Sequence, residues 1–285
     1  MPRYDTISFL SDYGHGDEFV GVVHSVLRSI APEAQVVDIT HEIPPYDVRA
    51  GALCLARAVQ YLCPGVVLGV VDPGVGTTRR AVAIEVGGGQ SVLVGPDNGL
   101  LAMAVSLCGG ADRAVSLTNT ALHLPAPGAT FAGRDVFAPA AAHLANGIEL
   151  LELGEEVDPV SLLPGLMPVT ALDGDELQCE VLWVDRYGNA QLNVDPDEVD
   201  DWGRRIQVVW DGGSRTATRA TAYGDLANGD VGLVADSFGL LAVTMPRTSA
   251  AGILGLDAGA QVRLRRLDDA EPEGVTTPVD LGRRH

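Results

Sequence analysis

The sequence predicts an α/β fold: a sandwich-like N-terminal α/β domain with a largely parallel central sheet, then a C-terminal all-β barrel domain. Three observations support this. The chain opens with a strand–helix–strand pattern, over Thr6–Leu10, 17–30 and 34–40, which is typical of parallel strands. Val66–Val71 is a continuous apolar run, as expected for a central strand buried on both faces. After residue 176, short strand-like runs alternate with glycine and asparagine turns, which favours a small barrel or sandwich.

The N-terminal elements follow in order. Apolar residues at helical spacing predict the helix at 17–30, which Pro32 ends. Asp47 is expected to cap a helix that continues over 50–62. A glycine triplet joins two strand-like runs, 81–86 and 91–94, and so predicts a hairpin. The remaining expectations are a helix over 100–107, a loop-rich stretch over 111–130 and an alanine-rich helix over 140–146.

The domain boundary is predicted from prolines without periodicity over residues 155–175. We therefore expect an N-terminal domain at 1–160, a linker at 161–175 and the barrel at 176–285. The last dozen residues are expected to be a frayed tail. The predicted barrel strands are Gln178–Asp185, Ile206–Trp210, Val231–Val234, Leu240–Thr244 and Gln261–Leu264.

Composition and charge exclude several classes of partner and site. A formal charge of −19 disfavours nucleic acid or an anionic membrane as partner. No run approaches the roughly 18 apolar residues that span a bilayer, and no signal peptide is expected before the first strand. The four cysteines are scattered, which favours buried reduced thiols and a cytoplasmic location. The histidines lack metal-site spacing, so no metal is expected.

One stretch stands out, GVVDPGVGTTRR at Gly69–Arg80. Pro73 favours extended geometry at Asp72, which places this carboxylate at the end of a strand, where open α/β sheets bind ligands. Gly74 and Gly76 are able to take positive φ. An acidic residue at a strand end, followed by the basic Arg79, indicates a ligand-binding or catalytic site. A turn closed by a structural salt bridge explains these residues equally well.

The same pattern, Asp or Asn beside Gly after a strand, recurs at Asp12, at 97–99 and, in the second domain, at Asp185–Asn189. Each instance alone is compatible with a simple turn. Three in one α/β domain favour a shared ligand site at one sheet edge. Carboxylates there suit a polyhydroxy ligand such as a ribose.

Several motifs in this order carry a family resemblance: FLSDYG at 9–14, IPPYDV at 43–48, VVDPGVGT at 70–77, VGPDNGLL at 94–101 and TFAGRDVFAP at 130–139. With VDRYGN at 184–189 and DSFGLL at 236–241, the chain resembles the S-adenosylmethionine (SAM) hydroxide adenosyltransferases over nearly its whole length. These adenosine-forming SAM hydrolases are relatives of the fluorinase and chlorinase. The resemblance implies trimers, with each site between the N-terminal domain of one subunit and the C-terminal domain of the next.

The resemblance also implies roles for individual residues. Asp12 would hold the ribose hydroxyls, and Tyr46 would pack near the sugar and methionine. Asp185 and Asn189 would bind the amino-acid end of methionine. The candidates for methionine and adenine contacts are Ser237, Phe238 and Arg247, and the further candidates are Asp17, Asn98, Gly133 and Arg134.

The implied reaction is in-line displacement at ribose C5′, in which water or hydroxide attacks and methionine leaves. Asp72 would orient the water, and Arg79 would hold the carboxylate. SAM is the substrate, and no cofactor is expected. Halogenases resemble this sequence but carry tyrosine in place of Asp72, so the aspartate favours water over a halide.

One position departs from the family pattern. The hydrolases typically complete an Asp–Arg–His set with a histidine, and this chain has Ala132 there. A natural variant and an engineered substitution both remain open. His123 is not expected to replace it. Turnover is therefore expected to be weakened by about 10²-fold but not abolished.

Two alternatives are retained. One is a SAM- or adenosine-binding protein with little catalysis, in which Ala132 marks a lost function. The other is a weak SAM-dependent halogenase, disfavoured by Asp72 and by Val75 where the fluorinase has threonine.

Overall fold

The computed structural model describes residues 3–267, and the chain divides into two compact units, with the boundary between Leu166 and Met167. The first unit contains a seven-stranded sheet in the order β2-β1-β3-β5-β4-β6-β7. Its strands are β1 (Thr6–Ser11), β2 (Gln35–Thr40), β3 (Val66–Val70), β4 (Ala81–Val86), β5 (Ser91–Pro96), β6 (Ala111–Ser116) and β7 (Glu155–Val157).

Strands β2, β1, β3 and β5 lie side by side and parallel. The other strand pairs, β5–β4, β4–β6 and β6–β7, are antiparallel, so most strands still share one direction, as predicted. Ser11 at the end of β1 is in register with Val70 at the end of β3. The residues that follow these two strands, including Asp12 and Asp72, therefore leave the sheet at the same edge.

Helices cover both faces of this sheet. They are α1 (Phe19–Ile30), α2 (Val48–Val59), α3 (Ala102–Leu107) and α4 (Ala138–Ala145). Alternation along β1 explains the layering, because Phe9 points into the core with α1 and α4, whereas Leu10 points into the core with α2 and α3. Full burial of each such side chain contributes roughly 1.5–3 kcal/mol.

Two local predictions for this unit are confirmed. The Asp47 side chain caps α2 by accepting a hydrogen bond from the Ala50 amide at 2.8 Å, although the helix begins at Val48. β4 and β5 form the antiparallel hairpin, and Gly87, Gly88 and Gly89 all have positive φ.

The predicted loop-rich stretch 111–130 is wrong at its start, which forms β6. Polar Asp112 and Arg113 obscure the strand pattern in the sequence, and only Ala114 and Val115 of this strand are fully buried. β7 lies within the proline-containing segment 155–175. Short 3-10 turns occur at Thr120–Leu122, Leu150–Leu153 and Pro159–Ser161, and a π-helix spans Gly133–Phe137.

The second unit contains a closed seven-stranded barrel, as predicted. The order β10-β14-β13-β12-β11-β15-β9 closes through the β10–β9 pair, and β8 pairs with β9 outside the ring. The strands are β8 (Ala171–Asp173), β9 (Glu176–Val184), β10 (Ala190–Leu192), β11 (Arg205–Trp210), β12 (Gly213–Ala220), β13 (Val231–Ala235), β14 (Leu241–Thr244) and β15 (Gln261–Arg266). This unit also contains helix α5 (Ala250–Leu254) and 3-10 segments at Pro196–Trp202 and Tyr223–Asp225.

Apolar residues from the strands fill the barrel, among them Val181, Val208 and Leu264. The sequence patterns did not indicate β8, β10 or β12. β8 and β10 have three residues each, and the buried positions of β12 hold small side chains, Ser214 and Ala217.

All four cysteines are free, but the expectation that they are buried is confirmed only for Cys179; Cys54 and Cys108 are partly exposed, and Cys63 is exposed. Among residues 3–267, no helix is both long enough and apolar enough to cross a bilayer. The predicted frayed tail lies outside the described residues.

Candidate active site

A cleft of about 890 Å³ opens in the N-terminal unit. It gathers residues from the loops after β1 and β3, the loop before α2, the start of α1 and the segment leading into the π-helix. Its walls include seven of the residues that the sequence singled out: Asp12, Asp17, Tyr46, Asp72, Ala132, Gly133 and Arg134.

Asp72 follows β3 directly, and its side chain is only 6% exposed. Arg79 donates Nε–H to Asp72 Oδ1 at 2.7 Å, and its Nη2 donates to Oδ2. This two-pronged contact fixes the plane of the carboxylate. Arg79 also lies over the Phe137 ring, with its guanidinium carbon 5.0 Å from the ring centroid. Arg79 does not line the cleft itself and influences it by holding Asp72, which does.

The glycine loop between these two residues brings them together. Val75 donates its amide to the Asp72 carbonyl at 3.2 Å, and Thr77 donates to the Gly74 carbonyl. Gly76 has φ +76°, as expected, and a Cβ there would lie 3.0 Å from the Ala129 carbonyl oxygen. Gly74 does not adopt positive φ. The turn therefore requires a glycine with positive φ at Gly76 but not at Gly74.

Asn98 is not among the cleft-lining residues. Its Nδ2 donates to the Val71 carbonyl at 2.9 Å, and its Oδ1 accepts from the Leu100 amide. It fixes the backbone immediately before Asp72, across the β3–β5 pair.

Asp12 and Tyr46 are directly linked. The Tyr46 amide donates to Asp12 Oδ2 at 2.9 Å, while Tyr46 as a whole is 74% exposed. Tyr46 has φ +69°, which is unusual for a residue with a side chain. In residues 3–267 the other non-glycine residue with positive φ is Arg247, a second sequence-predicted site residue. Such backbone strain is characteristic of binding sites.

The π-helix lies directly after Ala132, and π-helical turns are common at functional sites. Arg134 pairs with Asp135, at 2.6 Å from Nε to Oδ1, and stacks on Phe131. Gly133 is buried, and a Cβ at this position would lie 2.0 Å from the Tyr13 hydroxyl. The glycine is therefore needed so that the Tyr13 phenol can reach the π-helix.

Tyr13 is a cleft residue that the sequence reasoning missed, although it lies within the SDYG motif. Its ring packs edge-on against Phe131, with centroids 5.6 Å apart, and also contacts Phe19. Burial, together with the charges of Asp12 and Asp72, raises the pKa of Tyr13 well above its ordinary value. The phenol is therefore a neutral hydrogen-bond donor beside the cleft carboxylates.

Asp17 lies at the exposed rim of the cleft, ahead of α1. His123 does not line the cleft. Within the described residues, no histidine borders the cleft near Ala132.

In the barrel unit, Asp185 and Asn189 hold one another within the β9–β10 turn. Asp185 Oδ1 accepts from the Tyr187 and Asn189 amides at 2.8 Å, and its Oδ2 accepts from Asn189 Nδ2 at 2.7 Å. Asn189 Oδ1 in turn accepts from the Thr244 hydroxyl. Gly188, with φ +83°, has no room for a side chain, because a Cβ would lie 2.0 Å from Ser249 Oγ.

The β13–β14 turn repeats this geometry around Asp236, a residue that the sequence reasoning missed as a site residue. Asp236 Oδ1 accepts from the Phe238 and Leu240 amides, and Gly239 has φ +84°. Gln191 Nε2 donates to Asp236 Oδ2. The signal was present in the sequence, because DRYGN and DSFGL share the pattern Asp-x-aromatic-Gly.

These two turns present exposed groups. Ser237 and Phe238 are exposed on the second turn, and the Phe238 ring lies 6.4 Å from that of Trp183. Arg247 is exposed in the turn closed by the Met245–Thr248 bridge. Burial, and to a lesser extent the negative charges of Asp185 and Asp236, raise the pKa of the Tyr223 phenol above its ordinary value.

The sequence matches two family models. Residues 7–154 match the SAM hydroxide adenosyltransferase N-terminal domain, and residues 179–263 match the corresponding C-terminal domain.

Curated relatives support the same assignment. A Thermus thermophilus protein named (R)-S-adenosyl-L-methionine hydrolase is 46% identical over 266 residues, covering 90% of this chain and 98% of the relative. A Salinispora tropica protein of the same name is 43% identical over 258 residues, covering 90% and 97%. A fluorinase from an Actinoplanes species is 26% identical over 226 residues, covering 71% and 76%.

Among solved structures, an uncharacterised conserved protein from Thermotoga maritima superposes with a TM-score of 0.84 at 32% identity, covering 91% of this chain and all of that one. The two matched models together cover most of the 285 residues. The chain therefore belongs to the SAM hydroxide adenosyltransferase family.

Proposed function

We propose that this protein hydrolyses S-adenosyl-L-methionine to adenosine and L-methionine by attack of water at ribose C5′. The observation that carries the proposal is the Asp72 carboxylate, held in the cleft wall by two hydrogen bonds from Arg79. A fixed acceptor of this kind is what a water nucleophile needs.

The reaction needs little help at sulfur, because the sulfonium is already a good leaving group. A water oxygen forms a bond to C5′ on the face opposite sulfur. The C5′–S bond breaks, and its electron pair stays on sulfur, giving neutral methionine. The proton that the water loses passes to the Asp72 carboxylate or to solvent. Arg79 keeps the carboxylate oriented, and its positive charge favours an anionic oxygen nucleophile.

Asp12 is proposed to hold the ribose hydroxyls. One of its oxygens is occupied by the Tyr46 amide, and within residues 3–267 the other takes no hydrogen bond. The Tyr46 ring, largely exposed, is available to pack on the sugar and methionine. Tyr13 offers a neutral phenol beside them.

Barrel residues are proposed to bind the rest of the substrate. Asp185 and Asn189 are rigidly paired and suit the ammonium and carboxylate of methionine. Ser237, Phe238 and Arg247 are the candidates for the remaining methionine and adenine contacts. An exposed aromatic such as Phe238 suits stacking on a base.

The relatives' name specifies one epimer. Because "L" already defines the amino-acid carbon, "(R)" designates the sulfonium centre. We extend this to the present chain and propose the (R)-sulfonium epimer as its substrate. In-line attack requires the methionine to lie on one defined side of C5′, and a rigid site that orients this group distinguishes the epimers.

A homotrimer is proposed from the family resemblance, in which one subunit's cleft is completed by the barrel of a neighbouring subunit. Sedimentation equilibrium measures this directly. A monomer at the concentrations that support turnover would contradict it.

Product analysis separates this proposal from its rivals. Purified protein is incubated with each SAM epimer, with and without chloride, and the products are separated. Adenosine and methionine from the (R)-epimer, independent of chloride, support hydrolysis. Bound but unconverted SAM indicates a binding protein, and 5′-chloro-5′-deoxyadenosine indicates a halogenase; either result overturns the proposal.

A further inference from the structure

Two histidines and an aspartate meet outside the cleft, at the β2 edge of the N-terminal sheet. His24 lies on α1, Asp38 on β2, and His41 follows β2. One ligand atom from each lies within 4.8 Å of the other two. The distances are 2.8 Å from His24 Nε2 to Asp38 Oδ1 and 3.1 Å from His41 Nε2 to the same oxygen.

We propose that His24, Asp38 and His41 bind a divalent transition-metal ion of the zinc class. Two imidazole nitrogens and one carboxylate oxygen are the donor set that such ions prefer, and hard cations such as magnesium favour oxygen ligands instead. Three protein ligands leave one position for water.

His41 gives the clearest indication of a bound ligand. Its side chain is fully buried, and although Nε2 is close to Asp38, the contact is not aligned as a hydrogen bond. Within residues 3–267 this nitrogen has no hydrogen-bond partner. A buried polar atom normally has a hydrogen-bond partner. An unpartnered nitrogen that faces a carboxylate and a second imidazole therefore points to a ligand.

The other side of the His41 ring is fixed. Nδ1 lies 2.7 Å from the Ser11 hydroxyl. If Nδ1–H donates to this oxygen, the Nε2 lone pair faces Asp38 and His24. A ligating histidine is usually oriented in this way by a partner on its second nitrogen.

The cluster rests on a rigid base and is open on one side. The Phe9 ring, which is fully buried, lies 4.6 Å from the His41 ring and 6.1 Å from the His24 ring, centroid to centroid. His24 and Asp38 are partly exposed, at 36% and 40% of their side chains, so an ion has access from solvent. The formal charge of −19 further favours cations.

Sequence spacing did not indicate this site. His24 and Asp38 are 14 residues apart on different elements, and the family motifs do not include His24. The tertiary structure assembles the three residues.

Metal titration tests the proposal. Chelator-stripped full-length protein is titrated with Zn²⁺ by calorimetry and with Co²⁺ by visible absorption. We expect one saturable equivalent, cobalt d–d bands without thiolate charge transfer, and a metal-dependent rise in Tm. His24→Gln and Asp38→Asn should each weaken binding at least tenfold, since each removes one of three ligands, and should abolish the rise in Tm.

His143→Gln is the matched control, because His143 is a partly buried histidine outside the cluster. It should bind metal like the unmodified chain. Cys63→Ser tests the exposed thiol as a competing site. The proposal is overturned by an absence of saturable binding, by binding that survives both cluster substitutions, or by binding that Cys63→Ser abolishes.

Discussion

Arg79 contacts both carboxylate oxygens of Asp72 in the wall of the cleft, whereas the next residue, Arg80, contacts only one oxygen, Oδ2, of Asp97. The Asp72 and Asp97 side chains are equally buried, each 6% exposed. Asp97 also accepts from the Leu163 amide and does not line the cleft. Two adjacent arginines thus hold one buried carboxylate in the cleft wall and one outside it, so Asp97 serves as a control for Asp72.

Asp72→Asn is expected to lower kcat for adenosine formation by about 10²-fold or more, because an amide cannot accept the water proton. Asp97→Asn removes a similarly buried charge without touching the cleft, and should lower Tm while kcat stays near that of the unmodified chain. Adenosine release is measured by chromatography, and Tm by circular dichroism. Equal losses of kcat in both variants would show that Asp72 acts only through stability.

Ala132→His is expected to raise kcat by about 10²-fold, because it places a group able to transfer protons in the wall shared with Asp72. Ala132→Gln is the control for size and polarity without titration. A histidine variant no faster than the present chain would rule out this role for the position. If Ala132→Gln raised kcat by as much as Ala132→His, the effect would be due to polarity and not to proton transfer.

Gly133→Ala is expected to destabilise the fold by about 1–3 kcal/mol, because the new Cβ would lie 2.0 Å from the Tyr13 hydroxyl. Tyr13→Phe removes that oxygen, so the double variant should recover part of the loss. Urea unfolding of the four chains gives the coupling energy. Gly21→Ala is the control, since Gly21 lies in α1 with open space around its Cα, and it should stabilise by about 0.5–1 kcal/mol. Additive effects at Tyr13 and Gly133 would contradict the proposed contact.

Tyr46→Gly tests whether backbone strain is stored at the cleft. Glycine adopts positive φ without strain, which stabilises the folded state by about 1 kcal/mol and offsets the entropic cost of ordering a new glycine. The free energy of unfolding of this variant should therefore change little. Tyr61 is similarly exposed, at 73%, but has negative φ, so Tyr61→Gly should carry the entropic cost alone. KM should rise for Tyr46→Gly and not for Tyr61→Gly. Equal destabilisation of the two variants would indicate that Tyr46 is unstrained.

Much of the fold was predictable because local patterns match the tertiary environment. Val66–Val71 is apolar throughout and contains the interior strand β3, and Asp47 caps its helix as its position indicates. β6 and β12 were not predictable, since a strand with polar or small side chains carries no clear period. These strands form because their neighbours supply the hydrogen bonds.

The site was predictable where motif and strand end coincide, as at Asp12 and Asp72, which follow β1 and β3. Tyr13 was missed because its role depends on the absence of a side chain at Gly133, which is distant in sequence. The His24–Asp38–His41 cluster was missed for a similar reason, because its members lie on α1, on β2 and in the following loop. Contacts between distant segments carry no sequence period.

The origin of the 5′-oxygen in adenosine is the most direct test of hydrolysis by attack at C5′. Turnover of (R)-SAM in H₂¹⁸O, followed by mass spectrometry of both products, identifies the nucleophile and the bond that breaks. Attack at C5′ predicts one ¹⁸O in the 5′-hydroxyl of adenosine and none in methionine. Unlabelled adenosine, or ¹⁸O in the methionine fragment, would contradict it.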